Sequence, residues 1–260
     1  MKMQISLIAL FALVLSLHSA SAQDYPLRQK YSDEKFITTA ELAAAGAEAL
    51  IVDARDQTEY NVLHIEGAKL LMVEKLKESD LLGVREKQGS KKLVFYCNGI
   101  TCEKSYKAAQ MARLWGFQNT FVYDAGIFEW AKLQPEKCQF FGKALTKETV
   151  ATSLIGKDKF EAACLEPDAF KAKTSDTAFK VFDVRDRTDR AAKQVKFRDD
   201  VGASLDEFVG FLEKGVVVPK EKVLLYDNVG KQVVWLQYYL DRHGIKDYYF
   251  LKGGVKALGQ

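Results

Sequence analysis

The chain has 260 residues, and its 38 lysines and arginines against 35 aspartates and glutamates give a formal net charge of +3 at pH 7. Charges of both signs are interspersed, so the chain lacks the basic patch of a nucleic-acid-binding protein, and we expect no nucleic-acid partner. The length fits one large or two medium domains. The four cysteines and three histidines have spacings that do not match a zinc site, so we expect no metal.

Residues 1–22 are predicted to be a cleavable signal peptide. Lys2 gives a positive start, residues 5–17 form an apolar core too short to span a membrane, and residues 20–22 (ASA) have the small-x-small pattern that signal peptidase cleaves. There is no cysteine at the cleavage site itself, and no later stretch approaches the roughly 20 apolar residues of a membrane span. We therefore expect a soluble protein without a membrane anchor, exported to the periplasm or secreted.

A strand, a loop and a helix are predicted at residues 93–115. Residues 93–95 form a short apolar run typical of a buried strand, residues 105–115 have a helical pattern, and Cys97 begins the loop between them. A cysteine in this position lies where backbone N–H groups converge and where the helix dipole favours an anion. We expect the position to lower the pKa of the thiol and to make Cys97 a nucleophile. The alternative is a cysteine that merely ends a strand.

The same pattern occurs twice in the chain. Residues 50–56 (LIVDARD) match residues 180–186 (KVFDVRD), and residues 93–98 (LVFYCN) match residues 223–228 (VLLYDN), both 130 positions apart. After the loop the offset falls to 128 positions, so the first loop is two residues longer. Short apolar runs alternating with helical patterns predict, in each copy, a parallel sheet flanked by helices, with the ligand site at the carboxyl ends of its strands.

Four segments of the first copy resemble the motifs of the rhodanese superfamily. They are residues 52–60 (VDARDQTEY), residues 64–68 (HIEGA), residues 96–97 (YC) at the start of the active-site loop, and residues 123–130 (YDAGIFEW). The segments occur in the family's order and at plausible spacings, and the repeat extends the likeness to nearly the whole mature chain.

The resemblance implies an α/β fold of two tandem rhodanese-like domains, each with a mainly parallel five-stranded sheet flanked by helices. We place the first domain at residues 23–134, a linker at residues 135–163 and the second domain at residues 164–260. The second domain has Asp227 where the first has Cys97, and a carboxylate cannot carry sulfane sulfur. We expect the second domain to be inactive, to pack against the first and to wall one side of its cleft.

The chemistry that the resemblance implies is sulfur transfer without a cofactor. A small donor such as thiosulfate, a persulfide or a polysulfide gives its sulfane sulfur to Cys97, and the persulfide passes it to cyanide, to a thiol or to a protein thiol. Backbone N–H groups of the loop are expected to stabilise the thiolate and the persulfide. The residues implied to form the substrate-binding loop are Asn98, Gly99, Ile100, Thr101, Cys102, Glu103 and Lys104.

The loop departs from the family pattern in two ways. It contains no arginine, so Lys104 would have to bind an anionic donor as a point charge, and Glu103 would repel phosphate. It also has a second cysteine, Cys102, which could resolve a persulfide or sulfenate on Cys97 as a disulfide. The alternative functions are therefore a thiol–disulfide redox or sulfur-carrier protein that uses both cysteines, and a non-catalytic rhodanese-like binding module.

Two further pairs complete the expected set of residues. Cys138 in the linker and Cys164 at the start of the second domain could form a structural disulfide that joins the domains. Asp53 and Arg55 could tune the loop, but their repetition in the second copy favours an internal ion pair that supports the end of the strand.

Overall fold

The computed structural model describes residues 24–88 and 91–259. The predicted signal peptide at residues 1–22 lies outside the described residues, so its cleavage and the export of the chain stay predictions. Among the residues described, no helix has the length and apolar character needed to cross a membrane.

Helices and strands alternate along the chain. The first half contains α1 (Thr39–Ala45), β1 (Ala49–Asp53), α2 (Gln57–Val62), β2 (Leu63–Ile65), β3 (Lys69–Leu70), α3 (Glu78–Gln88), β4 (Lys92–Tyr96), α4 (Lys104–Leu114), β5 (Thr120–Tyr123) and α5 (Gly126–Leu133). A middle segment contains β6 (Cys138–Phe140), β7 (Lys143–Ala144), α6 (Val150–Ser153) and α7 (Lys157–Ala162). The second half contains β8 (Cys164–Leu165), α8 (Pro167–Lys173), β9 (Phe179–Asp183), α9 (Arg187–Ala192), β10 (Val201–Gly202), α10 (Leu205–Glu213), β11 (Lys222–Tyr226), α11 (Val233–Arg242) and β12 (Tyr248–Leu251).

Two parallel sheets carry the two halves. The first has the strand order β3-β1-β4-β5, and the second has the order β10-β9-β11-β12-β8. Parallel sheets flanked by helices, as the sequence predicts, are confirmed. The first sheet has four strands instead of the predicted five. In the second sheet, β8 pairs with β12 as the edge strand. At the equivalent edge of the first sheet, Phe36 pairs with Val122 of β5 through only one isolated bridge, which is too short to count as a strand.

The middle segment is attached to the first half. β6 pairs antiparallel with β2, which places Cys138 opposite Ile65, and β7 continues this small sheet. Part of the predicted linker is therefore folded onto the first half, and the domain boundaries themselves stay predictions.

The two halves share one hydrophobic core. Trp130 of α5 and Trp235 of α11 are buried in the same cluster of side chains, and Phe128 stacks on Trp235 with ring centroids 5.1 Å apart. α2 of the first half packs against α10 and α11 of the second, and the Tyr239 hydroxyl donates a hydrogen bond of 3.0 Å to the carbonyl of Thr58. These contacts fix the first sheet against the second at the edge where the loops lie.

Candidate functional site

A cavity of about 520 Å³ lies between the Cys97 loop and the loop that follows β11. Both loops start at the carboxyl end of a central strand, where parallel sheets form their ligand sites. The wall contains residues 98–102 and the side chains of Asp56, Glu59, Lys104 and Phe128 from the first half, Phe160 from the middle segment, and residues 230–232 with Val234 and Trp235 from the second half.

Cys97 lies below the cavity. It is 1 % exposed, and its Sγ is 3.2 Å from the carbonyl oxygen of Cys102, to which it donates, and 3.2 Å from Oγ of Ser105. Burial raises the pKa of the Cys97 thiol well above its ordinary value, although the hydroxyl and the backbone N–H of Ser105 act in the opposite direction. The expectation that this position lowers the pKa of Cys97 is therefore wrong, because the loss of solvent outweighs the donors at the start of α4.

Cys102 has the environment that was expected for Cys97. Its side chain is partly exposed and forms part of the cavity wall. The nearby Cys97 side chain and the backbone N–H groups of Asn98 and Lys104 favour the thiolate and lower the pKa of Cys102 below its ordinary value, although burial opposes them.

Asn98 is held from two sides by buried charged groups. Arg55 donates from Nη1 to Oδ1 of Asn98 at 3.1 Å, and Nδ2 of Asn98 donates to Oε1 of Glu59 at 2.7 Å. Arg55 is itself fixed by Asp53, with Nη2 2.7 Å and Nε 2.9 Å from the two carboxylate oxygens, and neither side chain is exposed. The ion pair supports the loop through Asn98 and does not reach the sulfur atoms itself.

Lys104 does not present a free positive charge to the cavity. Its Nζ lies 2.7 Å from Asp56, 3.5 Å from Glu74 and 3.9 Å from Glu59. Burial opposes the charge, but Glu59 and Asp56 outweigh it and raise the pKa of Lys104. Three carboxylates thus already neutralise the point charge with which Lys104 could bind an anionic donor.

Glu103 lies on the outer side of the loop. Its carboxylate is 2.6 Å from Nζ of Lys30 and 3.2 Å from Nζ of Lys107. Lys231 of the second half supplies a positive charge at the cavity rim. Its Nζ donates to Oγ1 of Thr101 at 3.4 Å.

Part of the first half is similar to a known family. Residues 38–133 match the sequence model of the rhodanese-like domain.

The curated proteins to which the chain is similar have another name. The tRNA uridine(34) hydroxylase of Erwinia tasmaniensis is 33 % identical over 93 residues, which are 35 % of this chain and 26 % of the relative. The tRNA uridine(34) hydroxylase of Shouchella clausii is 30 % identical over 132 residues, 46 % of this chain and 40 % of the relative. The chain thus spans between about a quarter and two fifths of the length of these relatives.

A solved structure covers more of the chain but is less similar. The thiosulfate sulfurtransferase from Pseudomonas aeruginosa is 18 % identical and aligns with 89 % of this chain and 45 % of its own, with a TM-score of 0.37.

The loop after β11 has the same place in the second half as the Cys97 loop has in the first. Asp227 is fully buried, and its carboxylate accepts hydrogen bonds from the backbone N–H groups of Val229 at 2.9 Å, Gln232 at 2.6 Å and Val233 at 3.1 Å, and from that of Gly230. A carboxylate of the chain itself therefore occupies the anion-binding position of the second loop.

Cys138 and Cys164 do not form a disulfide in this structure, which corrects that prediction. All four cysteines are free. Cys138 lies on β6 in the small antiparallel sheet, whereas Cys164 lies on β8 at the edge of the second parallel sheet. Burial raises the pKa of Cys138 to about 12 and that of Cys164 to about 11.

Among the residues that the structure describes, no group of three or more His, Cys, Asp or Glu side chains could hold a metal ion.

The sequence did not predict the parts that Glu59 and Trp235 have in the site. A signal for Glu59 was present in the repeat, because Asn98 and Glu59 are 39 positions apart and so are Asn228 and Asp189, whose side chains form the same hydrogen bond. Trp235 gave no comparable signal, since a tryptophan in an apolar helix is expected in any core.

Proposed function

We propose that the chain is a rhodanese-type sulfurtransferase that takes sulfane sulfur onto its cysteine loop and passes it to cyanide or to a thiol. The observation that supports the proposal is the pair of thiols, Cys97 and Cys102, in one loop beside a cavity, where the backbone N–H groups of Asn98, Lys104 and Ser105 favour the thiolate forms. A persulfide is anionic near neutral pH, and such donors stabilise it. The sequence places the persulfide on Cys97.

The donor that fits this cavity best is a persulfide or polysulfide rather than thiosulfate. Thiosulfate carries two negative charges. Of the two lysines that line the cavity, Lys104 is already neutralised by three carboxylates, which leaves the single charge of Lys231. The wall includes the aromatic side chains of Phe128, Phe160 and Trp235, which suit an apolar organic group. We therefore expect an organic persulfide to be the better donor.

We infer that the second half is a rhodanese-like domain without a sulfur-carrying group. Its sheet has the strand order of the first, and Asp183 and Arg185 repeat the buried ion pair of Asp53 and Arg55, with 2.6 Å between Nη2 and Oδ2. With Asp227 in place of a cysteine, its part in the reaction is to close the cavity.

We also propose that the chain acts outside the cytoplasm, on the composition of residues 1–22. The test is N-terminal sequencing of the protein recovered from the periplasm or medium of an expressing bacterium. The expected first residue is Gln23, and a protein that stays in the cytoplasm with residues 1–22 attached would contradict the proposal.

The transferase proposal is tested by turnover with an organic persulfide and cyanide, followed as thiocyanate. Replacing both thiols in C97S/C102S is expected to lower turnover by about 100-fold or more, because no thiol remains in the cavity region to carry sulfur. Cys164→Ser is the matched control, and its turnover is expected to equal that of the wild type. Unchanged turnover in the double variant would show that the proposed function is wrong.

A second candidate, a thiol–disulfide redox protein, is favoured by the proximity of the two cysteines, since Sγ of Cys97 lies 3.2 Å from the carbonyl oxygen of Cys102. It requires a reversible disulfide between them. Non-reducing peptide mapping after treatment with oxidised glutathione, without any sulfane donor, distinguishes it from the transferase.

A further inference from the structure

The two thiols of the loop differ in their access to a substrate. Cys102 forms part of the wall of the 520 Å³ cavity, next to Thr101, whereas Cys97 is not among the residues that line it. Only 1 % of Cys97 is exposed. A donor that enters the cavity therefore contacts Cys102, whereas Cys97 is shielded from it.

The extra length of the first loop gives Cys102 this place. In the shorter second loop, the side chain at the end of the strand, Asp227, fills its own ring of backbone N–H donors. In the first loop, the chain turns back through the hydrogen bond from the N–H of Cys102 to the carbonyl of Gly99, 2.9 Å long. Cys102 is thus the cysteine that the longer loop carries into the cavity wall.

We propose that Cys102 is the thiol that takes sulfane sulfur from the donor, and that Cys97 beneath it is the resolving thiol. This inference rests on the proposed function, since the loop must first accept sulfane sulfur. It exchanges the roles that the sequence suggests for the two cysteines. The directions of the pKa shifts, lowered for Cys102 and raised for Cys97, agree with it.

The first step transfers one sulfur atom. The Cys102 thiolate attacks the outer sulfur of an organic persulfide R–S–SH, a new S–S bond forms, and the S–S bond of the donor breaks. The electron pair leaves with the organic thiolate R–S⁻, and the proton stays on the transferred sulfur. Cyanide in the cavity can then take the outer sulfur as thiocyanate and return the Cys102 thiolate.

When no such acceptor is present, Cys97 reacts with the Cys102 persulfide instead. Its sulfur attacks Sγ of Cys102, the bond to the outer sulfur breaks, and this sulfur leaves as HS⁻, which takes the proton of the Cys97 thiol and becomes H₂S. The two cysteines are oxidised to a disulfide, and the sulfane sulfur is reduced to sulfide. A dithiol reductant then restores both thiols and is itself oxidised to a disulfide. The chain would thus reduce persulfides to sulfide at the expense of a dithiol.

The test is to react Cys97→Ser and Cys102→Ser with glutathione persulfide in the absence of reductant, and to follow intact mass and the peptide of residues 93–104. Cys97→Ser is expected to gain one sulfur on Cys102 and to keep it, because no resolving thiol remains. Cys102→Ser is expected to gain sulfur at least about tenfold more slowly. Equal rates in the two variants, or an adduct that forms only on Cys97, would overturn the assignment.

A measurement on the wild type needs no substitution. With one equivalent of donor, a rapid quench is expected to find the added sulfur on Cys102, and a later quench to find a Cys97–Cys102 disulfide with one sulfide released per donor. Sulfur found first on Cys97 would overturn the inference and leave the proposed function standing. A wild type that takes up no sulfur and forms no sulfide would instead contradict the proposed function itself.

Discussion

Cys97 and Cys102 show how two opposing effects set the pKa of a thiol at the start of a helix. Each hydrogen bond to a thiolate favours the charged form, and the removal of water disfavours it. At Cys97 burial is the larger effect, whereas at Cys102 the donors of the loop and the Cys97 thiol together outweigh burial. The position of a cysteine after a strand therefore does not decide the pKa of its thiol; the balance between burial and nearby donors does.

Alkylation by iodoacetamide should distinguish the four thiols, because only the thiolate reacts. At pH 8 we expect Cys102 to be labelled first. Cys164 and Cys138 should remain almost unlabelled, because burial raises their pKa values to about 11 and about 12 and leaves few thiolates at this pH. Their labelling should increase as the pH rises towards those values. A time course by peptide mapping measures the order, and Cys97 or Cys138 labelled before Cys102 would contradict it.

The carboxylate of Asp227 should contribute strongly to stability. It is buried and accepts four backbone N–H groups, so Asp227→Asn, which directs an NH₂ group at some of these donors, should lower the free energy of unfolding by about 3 kcal/mol. The matched control is Asp247→Asn, because that side chain is exposed. Urea denaturation of both variants is the measurement, and equal midpoints would contradict the prediction.

At the scale of elements, the strand–loop–helix unit around Cys97 could be predicted closely. The apolar run places the strand at residues 93–95, where the structure has β4 over Lys92–Tyr96, and the helix predicted at residues 105–115 is α4 over Lys104–Leu114. These elements follow from local periodicity. The interior of the loop does not, because the direction of the Cys102 side chain depends on hydrogen bonds between backbone groups that have no sequence pattern.

The two hydrogen bonds that hold Asn98, from Arg55 and to Glu59, allow an effect on turnover to be distinguished from an effect on stability. Asn98→Ala removes the hydrogen bonds to Arg55 and Glu59, so we expect turnover to fall by about tenfold and stability by about 1–2 kcal/mol. Asn228→Ala is the matched control, because it removes the equivalent bond to Asp189 in the second loop. Asn228→Ala should lose stability and keep turnover. Equal turnover in both variants would show that the hydrogen bonds of Asn98 do not position the thiols.

At the scale of the whole molecule, the sequence predicts two related units that pack together, and it cannot predict which faces meet. The repeat is visible in the sequence, whereas the contact between Phe128 and Trp235 depends on how α5 and α11 are oriented in the folded chain. For the same reason the predicted disulfide between Cys138 and Cys164 was wrong. Two cysteines near a domain junction can be counted in a sequence, but the sheets that carry them are known only from the structure.

Trp235 should affect donor selection. Trp235→Leu removes the stacking on Phe128 and opens one wall of the cavity. We expect the KM for an aromatic organic persulfide to rise by about tenfold, or about 1.4 kcal/mol, with little change for inorganic polysulfide. Trp130→Leu is the control, since Trp130 is buried in the same core and does not line the cavity. Steady-state kinetics with both donors, at a temperature where both variants remain folded, is the measurement, and an equal rise for the two donors would contradict this role.

The most direct test of the central claim is to locate sulfur on the purified wild-type protein after one equivalent of organic persulfide. The account predicts that the added sulfur, or the disulfide that follows from it, is confined to the peptide of residues 93–104, which holds both loop thiols. Sulfur found only at Cys138 or Cys164, or no sulfur on any cysteine, would contradict it.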